Sequence, residues 1–292
     1  MSDPLAGFLA ALDLTDTGAR TNEDIFTGPS QWMPRGRVFG GQVLAQSLVA
    51  AMRTVEPDRN LHSTHGYFLR PGIVDLPITF SVDRIHDGRS FSTRRTQAYQ
   101  NGLPIFSMIA SFQDDDDGLD HQVEMPADLP EPETLPTIAE LVGDINHPVA
   151  QFWASERPFD VRHVDSPLYF TVEGSRAAYQ AVWLKSIGPL PDDPHLHRAA
   201  LAYASDYSIL EPILRRHGIA WVTEGIKIAS LDHAMWFHRF GRVDEWVLYV
   251  QESPSATGGR GLSLGRMFSR DGRLLATVAQ EGTVRVPRVN AS

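Results

Sequence analysis

The sequence has no cysteine, almost no lysine and no long apolar run, and each absence excludes a class of protein. Without cysteine, disulfide scaffolds, thiolate nucleophiles, zinc fingers and iron–sulfur clusters are excluded. No stretch approaches the roughly 18 apolar residues of a membrane helix, and Met1–Asp13 lacks the parts of a signal peptide. The final Asn290-Ala291-Ser292 is not a peroxisomal signal. We therefore predict a cytoplasmic protein with no membrane partner.

Lysine is limited to Lys185 and Lys227, so arginine supplies nearly all of the positive charge. The net charge of −10 is located in one segment, because residues 114–156 hold 12 of the 36 acidic residues and no Lys or Arg. The rest of the chain has 24 acidic against 26 basic residues and is close to neutral. Since no basic patch is concentrated anywhere, we predict no nucleic-acid partner.

The acidic segment is also rich in proline, and it opens with four consecutive aspartates, Asp114 to Asp117. A segment of this composition does not bury enough apolar surface to form a core. It is therefore predicted to be a linker over residues 114–157, with one short helix over Thr137–Val142. Residues 1–113 and 158–292 would then form an N-terminal and a C-terminal domain. We interpret the aspartate run as solvated linker rather than as a metal site.

The two flanks carry the same three turn motifs in the same order, and corresponding motifs lie 169 to 171 residues apart. The Asn-Gly and Asp-Gly members are strong hairpin signals because they stand between apolar runs. This agreement predicts a duplicated fold. The pairs are Arg70 with Arg239, Arg89 with Arg260, and Asn101-Gly102 with Asp271-Gly272.

Each flank also has one helical stretch ahead of its strands. The stretch Val43–Met52 is almost uncharged, which predicts a buried helix. Pro212 interrupts the stretch His197–Arg216, so we expect a kink or two helices that meet near Ser205-Asp206. A buried helix wrapped by four or five antiparallel strands describes the hotdog fold. The sequence thus predicts an α+β double hotdog, with two antiparallel sheets each wrapped around a central helix.

Two patterns that suggest catalysis fail on their context. Gly261–Gly265 matches the G-x-S-x-G nucleophile elbow, but no helix is predicted after it and no histidine follows Ser263. We interpret it as a glycine-rich bend in a sheet. The histidine groups lack the i, i+4 spacing and third ligand of a catalytic zinc, so no metal is predicted. The tightest of these groups are His195 with His197 and His233 with His238.

Three polar residues stand in apolar surroundings, and these are Asp206, Ser230 and Gln280. Asp206 could cap a helix, Ser230 could bond its own backbone, and Gln280 could mark the exit of a strand to solvent. From the pattern alone, a structural and a functional interpretation both stay open for each residue.

Four longer motifs make the sequence similar to the type II acyl-CoA thioesterase family over Phe26–Val286, apart from the linker. They are Phe39–Val43, His65–Gly72, Asp87–Phe91 and Asp232–His238. The resemblance implies a double hotdog that hydrolyses acyl-CoA without a cofactor or a covalent nucleophile. In the family an Asp, a Thr and a Gln hold the attacking water, and by motif these roles fall on Asp206, Ser230 and Gln280. Ser230 departs from the usual Thr, because it keeps the hydroxyl and lacks the methyl group that restrains the rotamer.

These residue types suit the chemistry. Burial of Asp206 would raise its pKa from about 3.9 and make it a better base. Ser230 and Gln280 would orient the water, and a backbone N–H near the start of a central helix would stabilise the oxyanion, which makes Gly41 a substrate-binding candidate. The position in the first half that corresponds to Gln280 is Ala110, so we expect one competent site per chain.

Three further substrate-binding candidates keep alternative interpretations. His65 could act as a general base or could make an interior hydrogen bond. Arg89 and Arg260 could contact the phosphates of coenzyme A or could pair with acids at a corner of the sheet. We expect a homo-oligomer with acyl-CoA as its substrate.

The predicted function is acyl-CoA thioesterase, which releases a fatty acid and coenzyme A. One rival is a double-hotdog enoyl-CoA hydratase, whose Asp and His would be about four residues apart. The pairs with that spacing are Asp192 with His197 and Asp116 with His121. The other rival is a non-catalytic acyl-CoA-binding protein.

Overall fold

The computed structural model describes residues 3–19 and 21–286, so the motif Asn290-Ala291-Ser292 lies outside the described residues. In that part of the chain, no helix combines the length and the apolar character needed to cross a membrane. The α-helices are α1 (Pro4–Leu12), α2 (Gly40–Met52), α3 (Ile138–Val142), α4 (Pro148–Ser155), α5 (Pro194–Ser205) and α6 (Glu211–His217).

The strands all pair antiparallel in one 13-stranded sheet. They are β1 (Thr15–Asp16), β2 (Asp24–Gly28), β3 (Asn60–Phe68), β4 (Ile78–Asp87), β5 (Phe91–Gln100), β6 (Leu103–Gln113), β7 (Phe159–His163), β8 (Tyr179–Ser186), β9 (Lys227–Ser230), β10 (Asp232–Phe237), β11 (Val247–Thr257), β12 (Arg260–Ser269) and β13 (Leu274–Arg285). Their order is β1-β2-β4-β5-β6-β3-β10-β13-β12-β11-β8-β7, and β9 pairs with β13.

The two halves of this sheet come from the two halves of the chain and join where β3 pairs with β10. In this pair Ala234 lies opposite His65. The two sheets that were predicted separately are therefore continuous. The joint has a physical reason, because β3 and β10 would otherwise be edge strands with unpaired backbone groups.

Both predicted hairpins are present. Asn101 and Gly102 connect β5 to β6 with φ angles of 49° and 73°, the left-handed values that a two-residue hairpin turn requires. Gly272 occupies the turn between β12 and β13 with a φ of 89°. The duplicated turn motifs thus correspond to duplicated hairpins.

Helices α2 and α6 pack against the sheet, and α2 also packs against α5. All of α2 from Gly41 to Met52 is buried, as its lack of charge predicted. Helix α5 ends at Ser205 and α6 begins at Glu211, so the predicted interruption falls between them. Pro212 stands in the first turn of α6, where its missing N–H costs nothing. One continuous apolar core includes residues of both halves.

The acidic segment is partly structured. The predicted short helix is present as α3, and Thr137 caps it in a capping box with Glu140. Ile138 and Val142 join the main core, so this segment contributes apolar contacts that its composition did not predict. Other acids of the segment pair with arginines of the two halves, as Glu133 does with Arg270 at 2.8 Å.

Candidate active site

Asp206 is the C-cap of helix α5, and its carboxylate is the centre of a hydrogen-bonded cluster. Its Oδ1 accepts from Ser230 Oγ at 3.1 Å and from Gln280 Nε2 at 2.9 Å. Gln280 Nε2 also donates to Ser230 Oγ at 2.8 Å. The three residues named by the motifs thus form a closed triangle, although 74 positions separate the first from the last.

The register of the strands brings Ser230 and Gln280 together. Ser230, the last residue of β9, pairs with Gly282 of β13, and Gln280 lies two residues earlier on the same strand. Because side chains alternate along a strand, residues two apart lie on the same face. Gln280 is fully buried on that inner face, whereas Ser230 is half-buried.

The N-terminus of α2 supplies the fourth element of the cluster. The Gly41 N–H donates to the Asp206 carboxylate, and the N-cap residue, Phe39, makes no side-chain cap that would compete. A Cβ at Gly40 would lie 2.6 Å from Asp206 Oδ2, so glycine is required for this approach. The positive end of the helix dipole therefore points at the carboxylate.

Two opposing effects act on the pKa of the Asp206 carboxyl. Burial raises the pKa of the Asp206 carboxyl above its ordinary value of 3.8, whereas His233 and the hydrogen bonds from Gln280, Ser230 and Gly41 lower it. Burial is the larger effect. The result is a carboxylate that is more basic than a solvated one and so more useful as a general base.

An aromatic wall adjoins the carboxylate. The rings of Phe39 and Tyr207 stack with centroids 5.0 Å apart and planes at 17°. Tyr203 meets Phe39 edge to face at 5.1 Å, and the guanidinium of Arg157 lies 4.7 Å from the centre of the Tyr207 ring. Burial and the nearby charge of Asp206 both raise the pKa of Tyr203 and of Tyr207, so these rings are part of the surroundings in which burial raises the pKa of Asp206.

Comparison with known proteins identifies the family. One family model, acyl-CoA thioesterase, matches residues 153–283, and another, the acyl-CoA thioesterase N-terminal domain, matches residues 28–113. Acyl-CoA thioesterase 2 of Haemophilus influenzae is 38% identical over 290 residues, which cover 98% of this chain and 99% of that protein. The chain belongs to the type II acyl-CoA thioesterase family.

Solved structures agree with this membership. An acyl-CoA thioesterase II from Mycobacterium marinum is 43% identical, with a TM-score of 0.76 over 96% of this chain and 99% of that one. A hot dog fold protein from Alicyclobacillus acidocaldarius is 20% identical, with a TM-score of 0.78 over 96% of this chain and 98% of that one. The predicted double hotdog and the predicted family of thioester hydrolases are both confirmed. The domain boundaries at 113 and 158 stay predictions.

One member of the cluster was not predicted as functional. His233 is fully buried; its Nδ1 contacts Gln280 Oε1, and its Nε2 lies 3.1 Å from Ser205 Oγ. Burial lowers the pKa of His233. From the sequence, His233 is considered only as a metal ligand. The usable signal was strand alternation, because His233 shares the inward face of β10 with the buried Met235 and Phe237.

The other substrate-binding candidates lie apart from this cluster. His65 neighbours the buried Thr64 on β3, so it lies on the outer face of the sheet. There it is exposed and meets Trp236 edge to face at 5.1 Å. Among the residues that the structure describes, it makes neither an interior hydrogen bond nor a contact with Asp206, because the sheet separates the two side chains.

The two arginines are at exposed turns. Arg89 lies between β4 and β5. Arg260 opens β12 and pairs with Glu281 at 3.0 Å, which is the acid-pairing alternative for that residue. By contrast, Gly41 is at the cluster itself.

The described part of the first half has no equivalent cluster. Ala110, at the position that corresponds to Gln280, pairs with Arg94 of β5. The buried guanidinium of Arg94 bonds Asp87 at 2.7 Å and Thr54 Oγ1 at 2.8 Å. An ion pair therefore fills this region, which supports the expectation of one site per chain.

The rejected motif and the hydratase pair also have structural explanations. Ser263 lies within strand β12, not at a strand–helix elbow, so the G-x-S-x-G match is a sheet segment as predicted. Asp192 is exposed and pairs with Arg242 at 2.7 Å. His197 is buried, and its Nδ1 accepts from the Val243 N–H at 3.1 Å. No hydrogen bond joins this Asp and this His among the described residues.

Proposed function

We propose that the protein hydrolyses fatty acyl-CoA to a free fatty acid and coenzyme A, with a water molecule activated by Asp206, Ser230 and Gln280. The observation that carries the proposal is the closed triangle of hydrogen bonds among these three side chains at 2.8 to 3.1 Å. A water placed among them has a base at Asp206 and two groups that fix its orientation. Membership of a thioesterase family supports the same reaction.

In this mechanism the water oxygen attacks the thioester carbonyl carbon while Asp206 takes one of its protons. General-base help of this kind contributes typically 10²–10⁴-fold in rate. The tetrahedral intermediate then expels the sulfur of coenzyme A as the carbon–sulfur bond breaks. The proton held by Asp206 passes to that sulfur, so the products are a carboxylic acid and a free thiol, and Asp206 is ionised again.

The developing oxyanion requires a hydrogen-bond donor, and helix α2 supports Gly41 for this role. Its N–H already points at a negative oxygen, the Asp206 carboxylate. The substrate carbonyl can take this N–H as charge develops, which leaves Asp206 more basic at the moment of proton transfer. Loss of one oxyanion donor typically costs about 10²–10³-fold in rate.

We propose that exposed arginines bind the nucleotide part of coenzyme A. Arg89 remains a candidate for the phosphates. Arg260 is a candidate as well, because its partner Glu281 is half-exposed and such pairs contribute only about 0–1 kcal/mol. A phosphate can therefore replace the carboxylate at little cost.

The deciding test measures thiol release from palmitoyl-CoA with a thiol reagent. We expect the wild type to release free thiol and an Asp206→Ala variant to bind the substrate without releasing it. Asp192→Ala is the matched control, because that carboxylate is exposed and belongs to the hydratase alternative. It should keep wild-type activity.

Each rival predicts a different result. A hydratase would consume the crotonyl-CoA absorbance and would lose that activity in the Asp192→Ala variant. A binding protein would bind palmitoyl-CoA and change neither substrate. Either result with wild-type protein would overturn the proposal.

Assembly and location are separate expectations. We expect a homo-oligomer, and large apolar side chains on the outer face of β3 and β6 support it, since Tyr67 is 62% exposed and Ile109 is 48% exposed. Sedimentation of the purified protein would test the assembly. A cytoplasmic location is testable by cell fractionation.

A further inference from the structure

A buried chain of hydrogen bonds continues from the catalytic cluster to the end of helix α5. Gln280 Oε1 contacts His233 Nδ1, and His233 Nε2 lies 3.1 Å from Ser205 Oγ. The Ser205 hydroxyl donates to the Ala202 carbonyl oxygen at 2.8 Å. Ser205, His233 and Gln280 are all fully buried, so no solvent competes for these partners.

Elementary valence fixes the direction of the hydrogen bond between His233 and Gln280. Both hydrogens of the Gln280 amide are in use, because its Nε2 donates to Asp206 and to Ser230. Its Oε1 is only an acceptor, so the histidine nitrogen that contacts it must carry a hydrogen. His233 therefore carries a hydrogen on Nδ1.

The amide of Gln280 has a second orientation, related by a half-turn, in which oxygen and nitrogen exchange places. That orientation would direct Oε1 at the Asp206 carboxylate and the NH₂ group at the Nδ1–H of His233. An acceptor would then face an anion, and a donor would face a donor. The Asp206 anion and the Nδ1–H of His233 together thus make the productive orientation the favourable one.

From this geometry we infer that His233 is a positioning residue, which acts through Gln280 to keep the amide NH₂ directed at Asp206 and at Ser230, the two groups that would hold the attacking water. The inference rests on the proposed hydrolysis. The inference goes beyond that reaction in two ways. It assigns a hydrogen to Nδ1 of His233, and it makes the effect of His233 on the reaction depend on Gln280.

A double-mutant cycle separates this role from a general contribution to folding. His233→Leu leaves Gln280 Oε1 buried without a donor, and kcat for palmitoyl-CoA should fall roughly 10- to 100-fold with little change in KM. Gln280→Ala should also lower kcat. If His233 acts only through Gln280, adding His233→Leu to Gln280→Ala should change kcat by less than about twofold. If the two losses multiply instead, the inference is wrong.

Two conservative variants give a second measurement that does not depend on tolerance of leucine. Asn at position 233 carries its NH₂ close to the position of Nδ1, whereas the longer Gln carries it toward Nε2. We expect His233→Asn to recover most of the activity and His233→Gln to recover little. Equal recovery by both would indicate a general need for a polar side chain and would overturn the inference. His238→Leu, an exposed histidine one residue beyond the same strand, is the control and should leave kcat unchanged.

A spectroscopic measurement decides the matter even for an inactive enzyme. Long-range ¹H–¹⁵N correlation of the histidine rings should find His233 protonated on Nδ1 near neutral pH, with the signal identified by its loss in His233→Asn. A ring protonated on Nε2 alone would refute the positioning role. Failure of the wild type to hydrolyse any acyl-CoA, with the Nδ1–H form observed, would instead refute the proposed function.

Discussion

The close approach of helices α2 and α5 makes Gly41→Ala a quantitative test of the site. A Cβ at Gly41 would lie 2.5 Å from Phe39 Cε1 and closer still to the Tyr203 carbonyl oxygen, whereas ordinary contact needs 3.4–4 Å. The carbonyl belongs to the backbone of α5, so it moves only if the helix moves. The variant must therefore separate the two helices by about 1 Å, the scale of misplacement that can cost about 10²-fold in rate.

The stability and the kcat of the Gly41→Ala variant should both fall. Extra volume in a packed core typically costs about 1–3 kcal/mol of stability, and the melting temperature falls by about 2–4 °C per kcal/mol in proteins of roughly 150–250 residues. Because the Gly41 N–H moves away from Asp206, we expect kcat to fall about 10- to 100-fold as well. Differential scanning calorimetry and the thiol-release assay measure the two effects on the same preparation.

Gly7→Ala is the matched control. Gly7 lies inside helix α1, and a Cβ there would meet nothing within 4 Å. Alanine should stabilise that helix by about 0.5–1 kcal/mol and leave kcat unchanged. If Gly41→Ala kept both the melting temperature and the kcat of the wild type, the close contact of α2 with α5 at Asp206 would be wrong.

Two further predictions concern the cluster. Ser230→Thr keeps the hydroxyl and adds the methyl group that restrains it, so its kcat should equal or exceed that of the wild type. Ser230→Ala removes the hydroxyl, and its kcat should fall roughly 2- to 10-fold. A Thr variant with a kcat as low as that of the Ala variant would contradict the role of the hydroxyl. Burial raises the pKa of Asp206 above 3.8, and only the ionised form is a base, so kcat should fall in acid through a pKa above that value. In the same range the folded protein holds the Asp206 proton more tightly than the unfolded chain does. Protonation of Asp206 therefore stabilises the folded protein, and on acidification the activity should be lost before the protein unfolds. A kcat that stays constant down to pH 3.8 would contradict the raised pKa of Asp206.

Much of the fold could be predicted because local signals agreed with one another. The Asn101-Gly102 turn, the uncharged run of α2 and the break before Pro212 each depend on the chemistry of a few neighbouring residues. Such local preferences do not depend on which distant residues pack against them, so they can be recognised from the sequence. The joint between β3 and β10 had no such signal, because the pairing of two edge strands depends on how the two halves dock.

For the site, the sequence by itself determined which residue types were out of place, and its motifs predicted Asp206, Ser230 and Gln280 as the catalytic residues. It also determined that the first half has Ala110 where the second has Gln280. Only the tertiary structure decided which face of the sheet each side chain points to. His65 and His233 stand on adjoining strands, yet the alternation of side chains sends one to the solvent and the other into the core. A strand that shifts by a single residue exchanges its two faces, so the partners of each histidine follow from the register, which long-range packing sets.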